Sequence, residues 1–100
     1  MKCLWEILVP TVMDDKPIRI RYHRVWDKKV RDIAGGLTIL KPAKGQWICP
    51  ESKNLFAERM IPVRIACTKK EMLAIADMTK VYYKQITVMF YRIADEVYFI

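Results

Sequence analysis

The chain has 100 residues, of which 53% are hydrophobic and 29% are charged, and its formal net charge is +7. This length suits a single domain, residues 1–100, with one modest core and no room for a separate catalytic domain. The composition excludes intrinsic disorder, and no apolar run approaches the ~20 residues of a membrane helix.

The first third of the chain predicts a strand and then a helix. Residues 3–13 are rich in apolar and β-branched side chains, which is typical of a strand. Residues 14–17 (DDKP) predict a helix start, since a carboxylate can cap free amides and proline suits the first turn. The helix is expected over residues 17–34 and to end at Gly35 and Gly36. Its apolar residues share one arc that faces the core: Ile18, Tyr22, Val25, Trp26, Val30 and Ile33.

The remaining segments predict a second helix between strands. Residues 37–40 and 46–48 indicate one long or interrupted strand, and the alternation over residues 58–67 indicates another. Thr68 and Glu71 have the spacing of a capping box, which predicts a helix over residues 69–84. Residues 86–93 predict a strand, and residues 97–100 a short extra one.

This order, β-α-β-β-α-β, predicts a ferredoxin-like α+β fold, with both helices on one face of an antiparallel sheet and a short extra C-terminal strand. In that fold the strand from residues 3–13 lies between the last long strand and the strand of residues 58–67. The strand alternation then predicts the residues of the sheet face that no helix covers: Leu4, Glu6, Leu8, Met60, Arg64, Ala66, Val88, Phe90 and Arg92. A large apolar face of this kind predicts a homo-oligomer, a dimer or larger.

Four short segments resemble small ferredoxin-like proteins of unknown function. They are residues 26–30 (WDKKV), 35–40 (GGLTIL), 45–47 (GQW) and 82–85 (YYKQ). The similarity extends over roughly residues 20–93. It implies the same fold, and because the motifs are structural it implies no active site.

Two groups of basic residues predict binding to an anion. Residues 16–33 contain seven basic and two acidic residues, and such an uneven field attracts nucleotides, nucleic acid or an acidic protein. The first predicted helix carries a basic stripe of Arg21, Arg24, Lys28 and Arg31, for which a solvated helix face is the alternative. On the uncovered face, Arg64 and Arg92 are predicted to flank Glu6, either as an ion pair or as ligands of an anion.

Other residue types give no catalytic or metal site. His23 is the only histidine and no serine or cysteine lies beside it in the sequence, so no nucleophilic catalysis is assigned. Cysteines 3, 49 and 67 form no CxxC motif, which favours free thiols in a cytoplasmic protein and predicts neither metal nor cofactor. Trp47, on a predicted hairpin, either stacks on a purine base or packs within the hairpin.

The sequence therefore favours a non-enzymatic, oligomeric binding protein for an anionic small molecule, with a nucleotide as the leading ligand. A phage protein that sequesters a host signal would have this profile. One alternative is a structural or interaction module whose basic helix meets an acidic partner. The other is a small dimeric α/β-barrel enzyme assisted by His23 or Tyr91. Sequence-specific nucleic-acid recognition is not expected, because the strands lack the aromatic signature of RNA-recognition modules.

Overall fold

The computed structural model describes residues 1–100 as two helices and seven strands. In chain order they are β1 (Cys3–Pro10), β2 (Val12–Met13), β3 (Lys16–Pro17), α1 (Ile20–Ala34), β4 (Thr38–Ile39), β5 (Ala43–Ile48), β6 (Leu55–Cys67), α2 (Lys69–Tyr82) and β7 (Phe90–Ala94). The predicted helices and long strands are all present, with ends that differ by a few residues.

The main sheet is antiparallel and has the order β4-β6-β1-β7, with β5 continuing along β6 beyond β4. β4 and β5 thus form the interrupted edge strand that the sequence predicts. With both helices packed on one face, this is the α+β ferredoxin-like fold.

The core lies between the helices and one face of the sheet. Apolar residues of β1 and β6 alternate onto this face, and the buried arcs of α1 and α2 close it. The largest fully buried side chains include Ile7, Val9, Trp26, Val30, Val63, Ile65, Met72, Ile75 and Tyr83. Burial of one such side chain stabilises the fold by about 1.5–3 kcal/mol.

The two helices are joined by hydrogen bonds as well as by packing. The indole Nε1 of Trp26 donates to Thr79 Oγ1 at 2.9 Å, and both residues are buried. The rings of Tyr22 and Tyr82 stack at 4.2 Å, and each hydroxyl donates to the other residue's backbone carbonyl. α1 and α2 therefore form one layer.

The predicted helix start at residues 14–17 is wrong, because these residues form a hairpin turn. Asp14 and Asp15 have φ angles of 53° and 61°, and the turn pairs Met13 with Lys16. Aspartate tolerates the left-handed region, which a two-residue hairpin turn of type I′ requires at both central positions. α1 consequently starts at Ile20, after Arg19, whose side chain caps nothing.

The predicted strand at residues 86–93 begins instead at Phe90, and its register differs from the expected one. Phe90 pairs with Ile7, Tyr91 with Glu6 and Arg92 with Trp5. Since Ile7 and Trp5 face the helices, Phe90 and Arg92 lie on the helix-covered side and Tyr91 lies on the uncovered face. Val88 precedes the strand and packs against the core. One residue of register inverts every side chain of a strand.

The remaining differences concern the hairpin and the C-terminal residues. β5 and β6 form a hairpin that extends beyond β1, and the molecule is 46 Å along its longest axis. Residues 97–100 form no strand, so the predicted extra strand is wrong. These residues have no strand partner, and three of the four are exposed, so their β propensity is not expressed.

Candidate functional site

The sheet face opposite the helices carries apolar side chains around one carboxylate. β1 contributes Leu4, Glu6 and Leu8 to this uncovered face, as the sequence predicts. β6 contributes Met60, Pro62, Arg64 and Ala66 by the same alternation. The apolar residues of this set are half-buried, and no helix packs on them.

Glu6 is held from both sides at the centre of this face. Its Oε1 accepts a hydrogen bond from Arg64 Nε at 3.1 Å, and its Oε2 accepts one from the Tyr91 hydroxyl. Both contacts follow from the sheet, because Arg64 and Tyr91 are the cross-strand partners of Glu6 on β6 and β7. These three residues are called the Glu6 cluster below.

The Glu6 cluster combines a buried carboxylate with more exposed partners. Glu6 is only 9% exposed, whereas the Arg64 side chain is 45% exposed. The hydrogen bond to the Glu6 carboxylate, assisted by burial, raises the pKa of Tyr91 above its usual value. The tyrosine therefore stays a neutral donor. With Glu6 ionised and Arg64 protonated, the cluster has no net charge.

Arg92 does not belong to the Glu6 cluster, contrary to the sequence-based expectation. Its side chain pairs with Asp95 at 3.1 Å, three residues away. The cause is the register of β7, which turns Arg92 to the opposite side of the sheet from Glu6.

The basic stripe on α1 lies on the outer side of the helix layer, away from the uncovered face. Arg21, Arg24, Lys28 and Arg31 are all exposed. Only Lys28 forms an ion pair, with Asp32 at 2.9 Å. Of the sequence-predicted cations, only Arg64 therefore lies on the uncovered face.

Trp47 is on the β5–β6 hairpin and stacks on Phe56, its cross-strand partner. Their ring centroids are 4.7 Å apart with an interplanar angle of 17°, and both rings are partly exposed. This contact is the hairpin packing that was one of the two expectations for Trp47. By strand alternation, Phe56 continues the row of Met60 and Arg64, so the aromatic pair extends the uncovered face.

His23 lies between the helices rather than on the uncovered face. Its Nδ1 is 2.6 Å from the hydroxyl of buried Tyr83, and burial lowers the pKa of the imidazole. Of the two groups considered for an enzyme, only Tyr91 therefore belongs to the Glu6 cluster. No group of three or more His, Cys, Asp or Glu side chains is placed to hold a metal ion.

Tyr91 is the member of the Glu6 cluster that the sequence-based site left out. The strand alternation was assigned one residue out of step, which placed its neighbours Phe90 and Arg92 on the uncovered face instead. A usable signal was present nonetheless: a glutamate on a central strand requires hydrogen-bond donors on the neighbouring strands. Tyr91 is the donor of this segment that the observed register places opposite Glu6.

The three cysteines are free thiols. Cys3, Cys49 and Cys67 are unpaired, and burial raises the pKa of Cys67 to about 11.

Neither helix, with 15 and 14 residues, is long and apolar enough to span a membrane.

Several solved structures are similar to this chain over nearly its whole length. The divalent cation tolerance protein of Thermus thermophilus matches with a TM-score of 0.73 and 11% identity, over 98% of this chain and 88% of that one. The periplasmic protein CutA of Archaeoglobus fulgidus, also a divalent cation tolerance protein, has a TM-score of 0.72, 14% identity and coverages of 99% and 88%. No family model and no curated protein sequence matches the chain significantly.

A phage SAM lyase in complex with S-methyl-5'-thioadenosine matches with a TM-score of 0.64 and 18% identity, over 97% of this chain and 92% of that one. At these identities the likeness shows the fold alone. The resemblance to small ferredoxin-like proteins is confirmed to that extent, with the correction that the similar structures are those of divalent cation tolerance proteins and a lyase. The chain therefore has the α+β ferredoxin-like fold of these proteins.

Proposed function

We propose that the protein is a small homo-oligomeric binding protein for an adenosine-containing small molecule, with its site at the Glu6 cluster. The observation that carries the proposal is a buried carboxylate on a sheet face that no helix covers, held by Arg64 and Tyr91. The phage SAM lyase supports it, because a protein of the same fold is in complex with S-methyl-5'-thioadenosine.

The oligomeric part of the proposal follows from the apolar rim around Glu6. Leu4, Leu8 and Met60 border the carboxylate without a covering layer, and Trp47 and Phe56 extend the apolar surface along the hairpin. A second copy packed on this face would bury these side chains and turn an open cluster into a walled pocket. Walls of that kind exclude water and strengthen hydrogen bonds to a ligand.

The charge of the cluster favours a ligand without excess negative charge. Arg64 is already neutralised by Glu6, and Arg92 lies on the other side of the sheet. A carboxylate accepts hydrogen bonds from ribose hydroxyls and attracts a cation such as the sulfonium of S-adenosylmethionine, but it repels phosphate. At this face a nucleoside or a sulfonium compound thus fits better than the anionic nucleotide expected from the sequence.

A second candidate function is a lyase that acts on S-adenosylmethionine. The observation that favours it is Tyr91, which brings a hydroxyl into direct contact with the Glu6 carboxylate. In such a cleavage the carbon–sulfur bond breaks with its electron pair on sulfur while the substrate's own carboxylate forms a carbon–oxygen bond to the same carbon, so the sulfonium becomes a neutral thioether and the other fragment leaves as a lactone. Glu6 is suited to bind and orient the sulfonium substrate, and Tyr91 is suited to position the Glu6 carboxylate.

Calorimetric titration of the purified protein with S-methyl-5'-thioadenosine, S-adenosylmethionine, adenosine and AMP tests the proposal. We expect the first three to bind more tightly than AMP. Arg64→Gln should weaken binding of the uncharged ligands S-methyl-5'-thioadenosine and adenosine about tenfold or more, because it removes the donor that holds the Glu6 carboxylate in position. Arg92→Gln is the matched control and should change the affinity less than about twofold.

Two results would count against the proposal. Failure of every adenosine compound to bind below about 1 mM would exclude adenosine-containing small molecules as ligands. Equal losses of binding affinity in Arg64→Gln and Arg92→Gln would show that the ligand does not bind at the Glu6 cluster. Mass spectrometry after incubation with S-adenosylmethionine separates the two functions, because only a lyase releases S-methyl-5'-thioadenosine at a rate that Glu6→Gln abolishes.

The cytoplasm is the proposed location, since three free thiols are typical of a reducing compartment. A phage origin is part of the same proposal: the chain would withdraw an adenosine-based metabolite from the host. The phage lyase of the same fold supports this reading.

A further inference from the structure

A cavity of about 550 Å³ lies between the β2–β3 hairpin and the first turns of α1, outside the Glu6 cluster. Its wall includes Lys16, Arg19 and Arg21 together with Asp14, Ile18 and Tyr22. Cavities of this size hold small ligands. It is called the basic cavity below.

The positive charge of the basic cavity is not compensated within the molecule. Lys16, Arg19 and Arg21 are exposed, and none of them forms an ion pair. The only acidic residue of the wall, Asp14, already pairs with Lys84 at 3.1 Å. Three like charges around one cavity repel each other, so an anion bound between them offsets that repulsion.

Backbone structure holds the three cations in place. Lys16 follows the two-residue turn and pairs with Met13, and the backbone N–H of Ile18 donates to the Thr11 carbonyl at 2.9 Å. Arg19 is the N-cap residue of α1 and Arg21 lies in its first turn. The hairpin and the helix therefore set the backbone positions of the three cations, so no backbone segment has to be ordered when a ligand binds.

The wall also offers an apolar side beside the charges. Ile18 is half-buried against the core, and the Tyr22 ring is fixed by its stack on Tyr82. The planar guanidinium group of arginine matches the oxygens of a phosphate, whereas an apolar surface suits a base or another ring. Cations on one side and an apolar surface on the other are the features that a phosphorylated ring compound requires.

We propose that the basic cavity is a second binding site, which takes a small phosphorylated molecule of the nucleoside mono- or diphosphate class. Arg19 and Arg21 hold the phosphate oxygens, Lys16 adds a third positive charge, and Ile18 and Tyr22 contact the ring. This site is independent of the proposed function, because it shares no residue with the Glu6 cluster.

Calorimetric titration with ADP, AMP, inorganic pyrophosphate and adenosine, at about 50 and 200 mM salt, tests the proposal. We expect ADP to bind more tightly than AMP and pyrophosphate to bind more weakly than ADP. Any binding of adenosine should be unchanged in Lys16→Gln and Arg21→Gln, because adenosine has no phosphate for these cations to hold. Lys16→Gln and Arg21→Gln should each weaken ADP binding about tenfold. Lys70→Gln, an exposed residue of α2, is the matched control and should change it less than about twofold.

Three results would overturn this inference. The first is no ADP binding below about 1 mM at the lower salt concentration. The second is an equal loss in Arg31→Gln and Arg21→Gln, which would assign binding to the charge of the whole α1 stripe. The third is a short oligonucleotide that binds far more tightly than ADP, which would make the surface a nucleic-acid site. Circular dichroism of Lys16→Gln and Arg21→Gln shows whether the variants are folded, independently of any binding at the Glu6 cluster.

Discussion

At the scale of single residues, the contact between His23 and Tyr83 links α1 to the end of α2. Burial raises the pKa of the Tyr83 hydroxyl, so the hydroxyl keeps its proton and can donate a hydrogen bond to Nδ1 of a neutral His23, which lies 2.6 Å from the hydroxyl oxygen. The pKa of His23 is lowered in the folded protein, chiefly by burial. The folded state therefore binds a proton at His23 less readily than the unfolded state does.

This shift predicts that acid weakens the fold through His23. A depressed histidine pKa contributes stability that is complete above the unfolded value of about 6.5 and is lost as the pH falls through the folded value. Between pH 7.5 and 5.5 we expect the free energy of unfolding to fall, because the unfolded chain takes up a proton at His23 more readily than the folded chain does. Urea denaturation at both pH values measures it.

His23→Gln keeps a neutral acceptor and should remove most of this pH dependence. Asp27 must be separated from it, because burial raises the pKa of that carboxyl and gives a contribution of opposite sign. In Asp27→Asn the fall in the free energy of unfolding between pH 7.5 and 5.5 should be unchanged or larger. A drop of the same size in His23→Gln and in the natural chain would contradict the assignment to His23.

At the scale of elements, the two helices begin in different ways. Thr68 accepts the Glu71 N–H at 3.1 Å, and the Glu71 carboxylate accepts the Thr68 N–H at 2.9 Å, which completes the predicted capping box of α2. α1 has neither a side-chain cap nor an acidic residue in its first turn. Its start is set by the preceding hairpin, and its first residues are surrounded by the cations of the basic cavity.

Removing each N-cap side chain should therefore have unequal effects. Thr68→Ala should lower the free energy of unfolding by about 1 kcal/mol, the usual effect of losing a threonine cap. Arg19→Ala removes no cap and should change it by only a few tenths of a kcal/mol, because its side chain is exposed. Urea denaturation of both variants provides the comparison. Equal losses would show that the capping box does not stabilise α2.

At the scale of the whole molecule, the uncovered face and the hairpin define the surface for assembly. The register of β7 decides which substitutions probe it. Phe90 packs near Trp5 on the helix-covered side, with ring centroids 6.3 Å apart, so Phe90→Glu should unfold the chain rather than separate its copies. Leu8 lies on the uncovered face and is the suitable probe.

Leu8→Glu should reduce the assembly to monomers without unfolding it, because a charge beside Glu6 on a buried interface is unpaired and repelled. Light scattering measures the molar mass, and circular dichroism confirms the fold. Leu73→Glu, on an exposed position of α2, is the matched control and should leave the mass unchanged. A natural chain that is monomeric at high micromolar concentration would contradict the proposed oligomer.

Local signals were sufficient for most of the fold and for part of the site. The capping box, the glycine end of α1 and the alternation of β1 and β6 each depend on neighbouring residues, so they were predictable. The same alternation placed Glu6 and Arg64 on the uncovered face correctly. The turn at Asp14 and Asp15 was misread, because aspartate favours both helix starts and left-handed turns.

The amino-acid sequence by itself determined the element order, the fold class and the pairing of β1 with β6, because periodicity and capping are encoded in residues close together. Only the tertiary structure decided that Tyr91 rather than Arg92 joins Glu6, since the register of β7 depends on pairing with a strand more than 80 residues away. It also decided that Lys16, Arg19 and Arg21 surround one cavity. The register of a strand is fixed by contacts between distant segments, so the periodicity within one segment does not determine it.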